Sequence, residues 1–173
     1  SAVAAESMLS EQEKRSTLHV LLQQVLDAET GQRGYLLTGD DKYLLPYAEA
    51  TTGITTTLDS LRKIYVGDTA QLGRFAELSR AVSRKLAELE VTIKIRHAGG
   101  DSENWMQVVR TDLGRDYMNA TRNTALEMIA TAAGSMKATQ VQIDRSLTIS
   151  RIGVTLAALL FLLAFILYLR QTE

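Results

Sequence analysis

The chain has 173 residues, 46% of them hydrophobic, a formal net charge of -1 and no cysteine. That length holds one domain or two small ones. The balanced charge, without a basic stripe, argues against a nucleic-acid partner, and the missing cysteine excludes disulfides and thiolate metal sites. A single proline, abundant helix formers and few Phe or Trp residues point to an all-α chain. It opens on Ser1 without a signal-peptide pattern, and so reads as a piece or processed form of a longer protein.

The first helical pattern covers about residues 6–38. Leu18, Leu21, Val25, Ala28, Gln32 and Tyr35 recur in steps of three and four, as a buried seam does. Packed around the end of that seam are Glu29, Gly31, Arg33 and Gly34. Two glycines inside a helix cost about 1 kcal/mol each relative to alanine, so they read as points of close approach to a neighbouring helix. Glu29 and Arg33 are one turn apart and can pair. Thr38-Gly39-Asp40-Asp41 is a stop followed by a start: Gly39 suits the left-handed closing position and Asp40 or Asp41 a cap. Pro46 predicts an irregular first turn for the second helix. That helix runs to about residue 65, with Leu44, Tyr47, Thr51, Ile54, Leu58, Leu61 and Tyr65 as its seam.

Gly67-Asp68 supplies the next turn. A third helix over about 69–97 carries Leu72, Phe75, Val82, Leu86, Leu89 and Ile93 on one face, and Gly99-Gly100-Asp101-Ser102 follows, with Asp101 or Ser102 as cap. The fourth helix starts near residue 103. Trp105, Val108 and Val109 begin its apolar face, and Leu126, Ile129, Ala133, Met136, Gln140, Ile143 and Leu147 continue it. Between them the same heptad positions fall on Asp112, Arg115, Asn119 and Arg122. The polar interruptions of the first and fourth helices are expected to meet, bringing Glu29 or Arg33 to Met118 or Arg122. Residues 152–169 then form an uncharged run bracketed by Arg151 and Arg170. At 1.5 Å per residue it spans about 27 Å, the thickness of a bilayer's hydrocarbon core. The expected architecture is an up-down-up-down four-helix bundle whose last helix continues into a transmembrane helix. Residues 1–150 are the bundle, 151–170 the span and 171–173 the start of a cytoplasmic segment.

Glu-Thr-Gly-Gln-Arg-Gly-Tyr-Leu-Leu-Thr-Gly at 29–39, followed by Tyr43-Leu44-Leu45-Pro46-Tyr47, resembles the third family of CHASE domains, the cyclase- and histidine-kinase-associated sensory extracellular domains. Gly114, Met118 and Arg122 match that family's Gly-x-x-x-Met-x-x-x-Arg pattern, with Asn119 where the family often carries an acid. The resemblance implies a helical bundle outside the bacterial cytoplasmic membrane, between two spans. It also implies the role of input module for a sensor histidine kinase, a cyclic-di-nucleotide enzyme or a chemoreceptor. The residues it carries over are Glu29, Thr30, Gly31, Arg33, Gly34, Tyr35, Gly39, Gly114, Met118 and Arg122, in structural or signalling roles.

Glu29, Arg33 and Arg122 read first as a network fixing helix register, with ligand binding as the alternative. No nucleophile–base set or nucleotide loop is present, and His19 and His97 lie in different helices, so no catalytic, cofactor or metal role is assigned. The expected partners are membrane lipid, a second copy in a parallel homodimer, and an unidentified extracellular stimulus or small ligand. A membrane-anchored structural or adaptor protein without ligand is the rival reading.

Overall fold

The computed structural model describes residues 2–99 and 102–171, excluding the side chain of Ser102. Its helices are α1 (Ala2–Thr38), α2 (Leu44–Tyr65), α3 (Leu72–His97), α4 (Ser102–Arg110) and α5 (Leu113–Gln171), and no strand occurs among the described residues. α1 packs along α2 and α5, and α3 along α5 and α2. α1 also touches α3, whereas α2 and α5 do not meet. Four antiparallel helices therefore close a ring around one core, with α4 lying on α3 and α5 at one end. Leu18, Leu21 and Val25 of α1, Ile54 and Leu61 of α2, Leu78, Val82 and Leu89 of α3, and Ala125 of α5 are fully buried. Each large aliphatic side chain among them contributes about 1.5–3 kcal/mol by leaving water.

The α1 seam is as expected: all six positions from Leu18 to Tyr35 are buried. At its end Gly39 takes φ +71° and donates its N–H to the Tyr35 carbonyl at 2.7 Å. Asp40 then caps a single 3-10 turn, Asp41–Tyr43, by accepting from the Lys42 N–H at 2.9 Å, and this turn supplies the irregular start expected from Pro46. Gly31 explains why α1 carries glycines. A Cβ there would stand 2.9 Å from the Tyr43 carbonyl oxygen and 3.0 Å from the Tyr47 nitrogen, so backbone meets backbone.

Three expectations are corrected. The fourth helix is two: α4 ends in tight turns at Thr111 and Asp112, and Asp112 has φ 59° before α5 begins. Aspartate tolerates that left-handed conformation better than most residues, so a break forms without glycine. On α5 the buried line is Met118, Thr121, Ala125, Met128 and Ala132. Leu126 and Leu147 are 45% and 53% exposed. The inward face mixes methionines with small residues, and hydrophobicity alone misjudges which face that is. On α3, Leu72 is exposed, and the line through Leu78, Val82 and Leu89 continues with Lys85 and Thr92. Gly99 closes α3 with φ +72°. The turn residues Gly100 and Asp101 and the Ser102 cap lie outside the described residues.

The opposite end of the ring is tied by a charge. Lys14 donates to Glu11 at 2.8 Å and to Asp68 at 2.9 Å, with its ammonium 5.3 Å from the centre of the Tyr65 ring, which stacks on Phe75. Asp68 also accepts the Gln71 N–H at 3.2 Å in the turn that leads into α3. Burial pulls the Lys14 pKa down, but hydrogen bonds and charge from Glu11 and Asp68 outweigh it and the net shift is upward. Burial pushes the Tyr65 phenol up to about 12. Past this tie, α1 and α5 continue alone, with Val3, Ala4 and Ser7 alongside Ile143 and Leu147. α5 itself runs 59 residues without interruption, and its residues 152–169 are all exposed, long and apolar enough to cross a membrane.

Lys14 and Tyr65 keep their protons in the folded chain where the unfolded chain releases them. Their contribution is complete below about pH 10 and lost as pH rises through the folded values. Denaturation midpoints in detergent between about pH 9 and 12 should therefore fall with pH, and Tyr65→Phe should flatten the fall; a midpoint indifferent to pH contradicts this. Separately, Gly31→Val should cost about 1–3 kcal/mol by forcing α1 from α2. Gly134→Ala, where a Cβ meets nothing within 4 Å, should add about 0.5–1 kcal/mol. Equal effects in chemical denaturation would contradict the close contact.

Candidate functional site

At the end of the ring away from the apolar run, α1, α3, α4 and the first turn of α5 enclose a cleft of about 390 Å³. Its floor is charged. Lys85, with 3% of its side chain exposed, donates to Glu88 at 3.0 Å and lies 3.6 Å from Glu29. Glu29 in turn pairs with Arg33 at 2.6 Å, but the Arg33 side chain is 71% exposed, so the arginine forms the rim. Gly114 seats α5 against this floor: a Cβ there would stand 2.7 Å from the Glu88 carboxyl carbon. Beside the floor, Gln32 donates to the Thr92 hydroxyl at 2.8 Å, and Thr92 donates to the Leu89 carbonyl, so a buried polar pair joins α1 to α3. Trp105 of α4, 9% exposed, forms a wall with Leu36 and Val109, while Asp112 and Arg115 stand at the α4–α5 break.

The structure gathers three of the motif residues, Glu29, Arg33 and Gly114, on this cleft. Gly31 and Gly34 lie on another side of α1, where Gly34 faces the Tyr43 ring. Tyr35 is buried with its hydroxyl 3.1 Å from His97 Nδ1, which links α1 to the end of α3. Met118 belongs to the core. Thr30 is exposed and donates to the Leu26 carbonyl. Gly39 closes α1, where a Cβ would stand 2.9 Å from Arg96 Nη2. Arg122 is exposed and makes no ion pair among the described residues, so the expected meeting of Glu29 or Arg33 with Arg122 is replaced by the pairing of Glu29 with Lys85. The one-residue rotation of the α5 face is the cause: it sends 119 and 122 outward and turns 118 and 121 inward.

Lys85, Glu88 and Trp105 carry the site and were not singled out from the sequence as site residues. A signal existed for Lys85, which falls in the four–three rhythm of Leu78, Val82, Leu89 and Thr92. An ammonium on a core line needs buried carboxylates beside it.

A model of the CHASE3 domain matches residues 4–140. Among solved structures, the chain is similar to the crystal structure of the Rhodopseudomonas palustris histidine kinase HK9 sensor domain. The two are 23% identical, with a TM-score of 0.50 over 80% of this chain and 98% of that one, a likeness of fold. No curated protein matches.

Removing one partner of a buried ion pair leaves the others uncompensated, typically at about 3–5 kcal/mol. Lys85→Ala should show a loss of that order in chemical denaturation. Arg33→Ala at the rim should lose less than about 1 kcal/mol, and comparable losses for the two would mean that Lys85 does not hold the floor.

Proposed function

The chain belongs to the CHASE3 domain family, and from that premise we propose that it is the extracytoplasmic input module of a bacterial transmembrane receptor. The receptor would be of the sensor histidine kinase or cyclic-di-nucleotide enzyme type. In this reading residues 1–150 sense on the periplasmic side of the inner membrane, residues 151–170 cross the bilayer, and residues 171–173 begin the cytoplasmic segment. Output chemistry is assigned to other parts of the receptor. The observation that carries the reading is the continuity of α5, in which Gly114 at the cleft and the apolar run at 152–169 belong to one helix. A stimulus that moves the start of α5 has a stiff route through the membrane, the kind of helix shift that switching proteins use.

We further assign the functional unit as a parallel homodimer. Beyond the Lys14–Asp68 tie the structure is two helices wide, and Leu9, Val141, Leu147 and Ile149 are exposed there. A second copy would turn that pair of helices into four and cover the apolar side chains. The outward positions Leu126 and Gln140 on α5 support the same contact, since they keep heptad spacing while facing away from the core, and Leu147 continues that spacing in the groove beside α1. Two packed arrangements of such an interface differing by a few kcal/mol would give a ligand something to select.

Single cysteines introduced across residues 126–151 test this in membranes, in a chain that has no cysteine of its own. Cross-linking between copies should peak at 140 and 147, weaken between them, and shift in pattern when the receptor is stimulated. Absence of cross-links at every position would overturn the dimer, and a pattern unchanged by stimulus would overturn the helix shift.

A further inference from the structure

One wall of the cleft holds a buried donor without an acceptor. Trp105 Nε1 is buried and has no acceptor, although it belongs to a side chain that lines the cleft. A buried donor left unpaired costs about 1–3 kcal/mol. On the floor, Glu29 Oε1 serves both Arg33 and Lys85, and Glu88 Oε2 serves Lys85. Further donors stand at the rim. Arg33 is tied to Glu29 through one nitrogen, and Arg115 reaches Asp112 and Asp116 only at 3.4 and 3.7 Å. Charge-assisted bonds run at about 2.7–2.9 Å, so Arg115 has capacity to spare. Leu36 and Val109 add an apolar wall.

The geometry points to a small monocarboxylic acid with a compact apolar body as the ligand of this cleft. Its carboxylate takes the Trp105 indole N–H and the Arg115 guanidinium, and its body lies against Leu36 and Val109. A cationic amine fits less well, because it brings no acceptor and leaves the indole N–H unpaired. Trp105 belongs to α4 and Arg115 to α5, so the carboxylate bridges the break at Asp112. Binding would favour one setting of α4 against α5 and leave the α1–α3 floor in place. The inference rests on the reading of the chain as a sensory input module and names the class of stimulus.

The test uses the whole chain in detergent micelles and its single tryptophan, which is Trp105 itself. The probes are cyclohexanecarboxylate, its primary amide and cyclohexylmethylamine, none of which absorbs where indole does. Saturable change in Trp105 emission is expected with the carboxylate, binding about tenfold weaker with the amide, and none with the amine. Arg115→Gln should weaken carboxylate binding about tenfold while leaving the unliganded melting temperature unchanged. Trp105→Phe should abolish the rise in melting temperature that the carboxylate gives the native chain. An amine that binds as well as the carboxylate, Arg115→Gln binding at native strength, or no emission or melting response to any probe would overturn the assignment. Binding is read on this chain and the sensory role on the cysteine pattern in membranes, so loss of the first with the second intact overturns only the ligand class.

Discussion

The buried ammonium of Lys85 is the constraint around which this bundle is arranged. An unpaired charge in that position would be far too costly to bury, so two carboxylates must reach it from fixed directions. Glu29 comes from α1 and Glu88 from the next turn of α3, and Glu88 then occupies the space that a side chain at position 114 would need. One charge thereby sets the register of α1 against α3 and the distance of α5 from both. The Gln32–Thr92 bond, one turn further along, repeats the α1–α3 registration with neutral groups. Apolar packing alone is tolerant of small slides between helices; paired polar groups are not.

The two ends of the ring are built differently. At the Lys14 end the turn between α2 and α3 is anchored to α1 by Asp68, which uses one carboxylate oxygen on Lys14 and the other on the Gln71 N–H of its own turn, and the stacked Tyr65 and Phe75 rings close the core above it. At the cleft end the chain leaves α4 and enters α5 through a single left-handed aspartate.

Helix positions were largely legible in the sequence because α1 and α2 keep their apolar rhythm through Leu18, Leu21, Val25, Ile54, Leu61 and Tyr65. The close approach was legible too, since glycines inside a helix at 31 and 34 have few other uses. What could not be read was which face of α5 turns inward. Leu126 outscores Thr121 and Ala125 in hydrophobicity, yet the smaller pair is the one buried against the other helices. The break at Asp112 lacked its usual glycine. Of the cleft, Glu29, Arg33 and Gly114 were marked by the motif, whereas Lys85 stood where an apolar residue was expected and Glu88 and Trp105 gained their roles only from tertiary neighbours. A motif shared within one helix is visible in one dimension; a charge balance across three helices is not.

The unbroken length of α5 has a geometric consequence. Met128, Ala132 and Ser135 flank the Lys14–Asp68 tie, which makes that level a natural fulcrum. From Gly114 to Ala132 the helix measures about 27 Å, and from Ala132 to Gln171 about 58 Å. A rod pivoting there is a lever with arms in a ratio of roughly one to two, so a 1 Å sideways displacement beside the cleft would swing the far end by about 2 Å in the opposite direction. Axial sliding and rotation, by contrast, would arrive unmagnified. In such a lever the position of the tie along the helix would set the gain.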